Sequence, residues 1–224
     1  MTDLSSWTPR PTPGLVVLNG VRARVEPIDW ARHGQDLFAA VGGQEREGLW
    51  RHMPVGPFAK PDALEAHFSV NAEQQGWRSM AIVDAASGRA LGCAVYMRIR
   101  EEHGSAEIGS VAFGAELART ALATEALWLM AAHVFDLGYR RYEWKCNAVN
   151  EASKRSAERF GYAFEGVFRN DMVMKGTSRD TAWYSIIDSE WPRLDAALRG
   201  WLAGNNFTTD GVQIRTLESF RTPA

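Results

Sequence analysis

The feature that most constrains this chain is a change of rhythm near residue 114. Before it, three strand-like runs follow closely: 77–84, 90–100 and 105–113, separated by the short turns 85–88 and 102–104. Spacing this tight leaves room only for hairpins, so these strands form an antiparallel meander. After it, Leu122, Ala126, Leu129, Met130, His133 and Leu137 recur at steps of three and four, and Gly138 closes the run. That is one apolar helical face with a C-terminal glycine. A strand at 139–149, a helix at 151–160 closed by Gly161, strands at 162–169 and 181–188 and a helix at 189–203 follow. A meander running into β-α-β-α-β predicts an α/β (α+β) fold: one mixed sheet with helices on its faces.

The N-terminal part is consistent with that plan. Asn19-Gly20 suits the tight turn of a hairpin between Val16 and Val25. A helix is expected over 29–41, ended by Gly42-Gly43, and another over 61–75, opened by Pro61-Asp62. The stretch GLWRHMPVGPF reads as a loop, in which Trp50 and Phe58 hint at a closed pocket. The chain divides into an extended arm (1–14), a domain (15–203) and an irregular tail (204–224) with a short strand near Val212 to Ile214.

Composition narrows the function classes. A formal net charge of -2 gives no global signal for nucleic acid. No apolar run approaches the ~20 residues of a membrane span. The polar, proline-rich start lacks a signal-peptide pattern. Cys93 and Cys146 lie in strand-like runs and read as buried free thiols in a reducing, cytoplasmic setting. The five histidines are scattered without metal-ligand spacing, and no metal is expected; His133 reads as a hydrogen-bonded core histidine.

Two stretches carry candidate chemistry. In the first, the strand ending at Phe113 leads through a small-residue connection into the helix near Thr120. First-turn N–H groups have no partner inside a helix, and small residues let a phosphate approach them. Residues 118–123 therefore form a candidate diphosphate cradle, although plain packing produces the same pattern. In the second, Asn150-Glu-Ala-Ser153 reads as a helix N-cap that can also present an amide and a hydroxyl to a ligand.

Taken together, Glu107-Ile-Gly109, Ala123-Thr-Glu-Ala126, the run Leu137 to Asn147, Asn150 to Ser153, Ala157 to Gly166 and Arg179 to Trp191 resemble the GNAT superfamily of N-acetyltransferases, with the RimJ/RimL-like branch as the nearest likeness. The resemblance spans roughly residues 15–200. It implies a mostly antiparallel central sheet in which a bulged strand at 107–113 splays from the strand at 140–148, with acetyl-coenzyme A (acetyl-CoA) entering the V. Its pantetheine would pair with backbone at Val111, Ala112 and Phe113. Its diphosphate would lie on Ala118, Arg119, Thr120, Ala121, Leu122 and Ala123, and Asn150 and Ser153 would face the thioester. The acceptor is a small-molecule amine or a peptide N-terminus, and a homodimer is among the assemblies such a chain allows. Glu107 is the candidate general base and Ser153 the candidate proton donor to the thiolate. Where the family's loop carries a long polar residue and a middle glycine, this chain has Ala118 and Ala121, with Arg119 available to replace the lost charge. That departure leaves a second reading, a CoA-binding sensor or assembly module without turnover.

Overall fold

A computed structural model describes residues 3–221; residues 1–2 and 222–224, the ends of the expected arm and tail, lie outside it. Eight strands form one sheet in the order β1-β2-β3-β4-β5-β6-β8-β7. They are β1 (Leu18–Asn19), β2 (Ala23–Pro27), β3 (Arg78–Asp84), β4 (Ala90–Arg100), β5 (Ser105–Phe113), β6 (Arg141–Asn147), β7 (Ala163–Met174) and β8 (Thr177–Ile187). All neighbours pair antiparallel except β5 and β6.

The helices are α1 (Trp30–Val41), α2 (Glu47–Trp50), α3 (Pro61–Gln75), α4 (Ala121–Asp136), α5 (Glu151–Phe160), α6 (Trp191–Leu202) and α7 (Leu217–Arg221). Local signals explain most boundaries. Asp29 caps α1 by accepting from the Ala31 N–H at 3.0 Å. Pro61 opens α3, and Gly76, at φ 67°, turns the chain out of it. Asn150 caps α5 from the Ser153 N–H at 3.2 Å, and Gly161 ends it in the left-handed region.

Two apolar layers sandwich the sheet. On one face α4, α5 and α6 bury Met130, Val134, Ala157, Leu194 and Leu198 against Tyr96, Ile108 and Tyr142. On the other, α1, α2 and α3 bury Leu37, Trp50 and Phe68 against Ala81, Val95 and Ala112. Each fully buried aliphatic or aromatic side chain of this size stabilises the fold by about 1.5–3 kcal/mol. The N-terminal hairpin is fastened to α4 by a buried carboxylate. Glu125 Oε2 accepts from the N–H groups of Arg22 at 2.5 Å and Ala23 at 2.7 Å.

Four expectations are corrected. The stretch after Gly43 is not wholly a loop: Gly48, Leu49 and Trp50 belong to α2. Trp50 and Phe58 are core side chains rather than loop residues facing a cleft. They stack edge-on at 4.9 Å in the core, and the Trp50 indole donates to the Val41 carbonyl. The segment 169–180 is the continuation of one long β7–β8 hairpin, turning at Lys175-Gly176. Asn170, at φ 51°, falls in a register shift between Phe168 and Met172, where the sequence suggested a loop. In the tail, the expected strand is a single bridge between Phe207 and Gln213, and α7 follows it.

Candidate active site

Strands β5 and β6 share only four parallel pairs, from Ser105↔Arg141 to Ile108↔Trp144. Beyond Ile108 the two strands part. β5 runs on to Phe113 along β4, while β6 runs on to Asn147 along β8. Within that divergence β5 is bulged: Val95 opposes Gly109 and Cys93 opposes Ala112, so Ala94 alone faces Ser110 and Val111. Ser110 takes φ 45° to make the extra residue fit. The result is a V with one bulged lip carrying Val111, Ala112 and Phe113.

The chain from Gly114 to Thr120 closes back on itself before α4 begins. The Leu117 and Ala118 N–H groups donate to the Gly114 carbonyl, and the Thr120 N–H donates to the Leu117 carbonyl. The Thr120 hydroxyl accepts from the Ala123 N–H at 3.1 Å, which caps the helix. Ala121 and Leu122 occupy the first two helical positions, so their N–H groups have no acceptor within the helix and point out of its positive end. Replacing a glycine by Ala121 costs nothing here, because the left-handed residue is Arg119, at φ 65°, and Ala121 is helical. Ala118 and Arg119 are exposed.

Glu107 projects from β5 onto the face covered by α1–α3 and is about 1% exposed. Its neighbours come from three other strands. Lys145 Nζ on β6 lies 3.2 Å from Glu107 Oε2, and Arg98 Nε on β4 lies 3.5 Å from it. Glu143 stands beside it across the parallel ladder and is held by Arg100 at 3.1 Å and Arg141 at 2.7 Å. Trp183 on β8 covers both Arg98 and Lys145, at 5.0 and 5.3 Å from its ring centre. Burial pushes the Glu107 carboxyl above the usual carboxylate range. Lys145 and Arg98 pull it back, and Glu143 pushes it further up.

Ser153 sits at the first turn of α5, beside the open end of β6. Its hydroxyl accepts from the Trp144 indole N–H at 3.0 Å and also pairs with the Cys146 thiol, which the contact pulls down against burial. The Asn150 side chain is used in the cap. The structure thus brings Ser153 and Val111 to the two sides of the V, with Glu107 just below its apex. Sequence reasoning had not singled out Arg98, Glu143, Lys145 and Trp183, whose convergence depends on register between distant strands.

The two cysteines are buried and free, and among the described residues no group of acidic, histidine or cysteine side chains could hold a metal. His133 is hydrogen-bonded as expected, its Nε2 accepting from the Gly14 N–H at 3.4 Å, but it is half-buried rather than a core residue.

The acetyltransferase (GNAT) domain model matches residues 23–163, more than half of the chain. The chain belongs to the GNAT family of acetyltransferases. Solved GNAT structures resemble it over nearly its whole length. A GCN5-related N-acetyltransferase from Brucella melitensis is 44% identical, covering 97% of this chain and 99% of its own, with a TM-score of 0.92. A probable acetyltransferase (GNAT family) from Chromobacterium violaceum is 37% identical over 86% of this chain and 96% of its own, with a TM-score of 0.79. The fold, though not more, is shared with a spermidine N-acetyltransferase from Vibrio cholerae solved with CoA and spermine, at 15% identity, 77% and 99% coverage and a TM-score of 0.63. No curated protein matches the sequence. GNAT acetyltransferases use acetyl-CoA, and the V, the bulge and the open helix start of this GNAT chain offer the groups such a cofactor needs. Among the described residues no helix is long and apolar enough to cross a membrane.

Proposed function

We propose that this GNAT chain transfers the acetyl group of acetyl-CoA to a primary amine by direct attack within a ternary complex. The observation that carries the reading is the parting of β5 and β6 beyond Ile108↔Trp144, beside a bulge and above a buried carboxylate. Backbone of Val111, Ala112 and Phe113 would pair with the pantetheine. The open N–H groups of Ala121 and Leu122 would meet the diphosphate, with Arg119 adding charge from the adjacent turn.

The residues supply a balanced reaction. Glu107 would take a proton from the incoming ammonium, directly or through a water, giving the neutral amine a lone pair for attack on the thioester carbon. Backbone N–H groups at the bulge would hold the developing oxyanion. As the C–S bond breaks, the Ser153 hydroxyl would donate its proton to the departing thiolate and take up the second proton lost from the nitrogen, while Glu107 releases the first to solvent. The Lys145 ammonium already lies against Glu107.

The acceptor is a small-molecule amine or a peptide N-terminus. A RimJ/RimL-like preference rests on sequence likeness, and a ribosomal-protein-S5-alanine acetyltransferase from Vibrio fischeri shares the fold at 18% identity. The buried free thiols support a reducing, cytoplasmic setting.

Turnover of acetyl-CoA against a panel of polyamines, aminoglycosides and N-terminal peptides tests the reading. Acetyl-CoA at 100 times its dissociation constant should also stabilise the fold by about 2.7 kcal/mol. Stabilisation without turnover on any amine would favour the CoA-binding sensor. Neither effect at millimolar acetyl-CoA would refute cofactor use.

A further inference from the structure

A cleft of about 810 Å³ lies where the N-terminal arm crosses the starts of β5 and β6. It is at the opposite end of β5 from the V: Ser105 lines the cleft, and Val111 stands six residues away, roughly 20 Å along an extended strand. The acetyl-transfer chemistry does not use it.

The arm is fixed over this end by hydrogen bonds, among them one from the Thr12 hydroxyl to the Glu101 carboxylate. The Trp7 indole donates to the Glu102 carbonyl at 2.8 Å, and the Arg10 N–H donates to the Glu101 carbonyl at 3.0 Å. Trp7 then serves as a platform for two guanidinium groups, Arg10 at 4.0 Å and Arg140 at 5.6 Å from its ring centre.

Four arginines and a histidine line the cleft. Arg10, Arg100, His103, Arg140 and Arg141 face the cleft, and Asp188 is the only carboxylate among the lining residues. Arg100 and Arg141 are already matched to Glu143 and Glu165, and His103 to Glu102. Arg10 and Arg140 form no ion pair among the described residues. Arg10 Nε is moreover a buried donor with no acceptor. That atom is closed to solvent, so a ligand in the cleft would meet the terminal N–H groups of Arg10 and Arg140 instead.

We propose that this cleft is a second anion site, taking a small molecule that carries a diphosphate. Two unmatched guanidinium groups on one aromatic platform present two separate forks. Each fork fits a phosphoryl group through paired N–H donors, whereas a single carboxylate would satisfy only one. The cleft is far larger than one phosphate, so the remainder of the ligand is accommodated beside the exposed residues Ile187, Asp188 and Ser189.

The Trp7 indole N–H reports on this cleft alone, and the Trp7→Phe variant assigns its peak in a ¹⁵N–¹H spectrum. Titrating the full chain with inorganic pyrophosphate should move that peak saturably. Arg10→Gln and Arg140→Gln should each weaken the response at least tenfold, about 1.4 kcal/mol, with the other eight indole peaks unmoved by the substitution. Arg10→Lys and Arg140→Lys keep charge and stem and should retain part of the affinity, which separates ligand recognition from loosening of the arm. Arg119→Gly, at the diphosphate cradle, should leave the Trp7 response unchanged. A Trp7 peak that ignores millimolar pyrophosphate would overturn the proposal, as would an equal response in the glutamine variants. Malonate binding as tightly as pyrophosphate would overturn the assignment to phosphate.

Discussion

Lys145 Nζ lies 3.2 Å from Glu107 Oε2, pairing the candidate base with a cation from the neighbouring parallel strand. The pair sits on the face of the sheet that α1–α3 cover and straddles the point of separation, Glu107 one residue before the last parallel pair and Lys145 one residue past it. Two consequences are open to measurement.

Replacing the carboxylate removes the base but keeps the shape. Glu107→Gln should lower kcat by roughly 10²–10⁴-fold, the usual span for loss of a general base. The affinity for CoA, measured by calorimetry, should stay within a factor of two or so, because the cradle lies at the far end of β5. Wild-type kcat across pH 6 to 9 would show that the amine arrives already neutral.

Removing the cation changes the titration instead. Lys145 holds the Glu107 carboxyl down, against burial and Glu143, with Arg98 helping. Without Lys145 the carboxyl titrates higher, and the ionised base appears only at higher pH. The acid limb of the kcat/KM profile for Lys145→Met should therefore move to higher pH, while Arg98 and the Glu143 ion pairs remain. A profile that stays in place would remove Glu107 from the proton path.

Ser153 has a structural and a chemical role that two variants separate. Ser153→Ala removes both the acceptor for the Trp144 indole and the proton for the thiolate. Trp144→Phe removes the indole donor and part of a buried ring but leaves the Ser153 hydroxyl in place. If Ser153 protonates the thiolate, Ser153→Ala should cut kcat by roughly 10²-fold or more, and Trp144→Phe should leave kcat within a few-fold while both lower Tm. Equal kcat losses in the two variants would assign Ser153 to packing.

Arg119 combines an exposed guanidinium with a left-handed backbone. A side chain in that region costs about 1–2 kcal/mol in regular left-handed backbone, so Arg119→Gly should hold or raise Tm. The same change should weaken CoA binding by roughly ten- to a hundredfold if the guanidinium meets the diphosphate, since charge-assisted bonds contribute about 1.5–3 kcal/mol. A pantetheine fragment should bind both proteins equally. Unchanged affinity for whole CoA would leave the backbone of 118–123 as the sole phosphate ligand.

The helices α1, α3 and α5 were legible because their caps are local: Asp29, Pro61, Asn150 and Gly161 each act within a few residues. The far half of the β7–β8 hairpin was not. Most of β7 is exposed, so it lacks the alternation that marks a half-buried strand, and Arg169-Asn170-Asp171 resembles a turn while forming a register shift. The same division holds at the site. Glu107, the cradle and Ser153 lie in contiguous segments with recognisable order. Arg98, Glu143, Lys145 and Trp183 meet only after β4, β6 and β8 have taken their register, and Arg98 reaches Glu107 from an irregular left-handed position, at φ 46°. One-dimensional spacing carries no trace of that meeting.

The four pairs between β5 and β6 also give the molecule a mechanical axis. They are the ladder that joins the antiparallel blade β1–β5 to the smaller blade β6-β8-β7, and they lie at one end of both strands. Blades riveted at one end can open and close at the other with little displacement near the rivet. Glu107 is a member of the third of those four pairs. The tips at Phe113 and Asn147 lie five and three residues beyond the last pair, so spreading there would displace the candidate base Glu107 little while moving its partner Lys145 more.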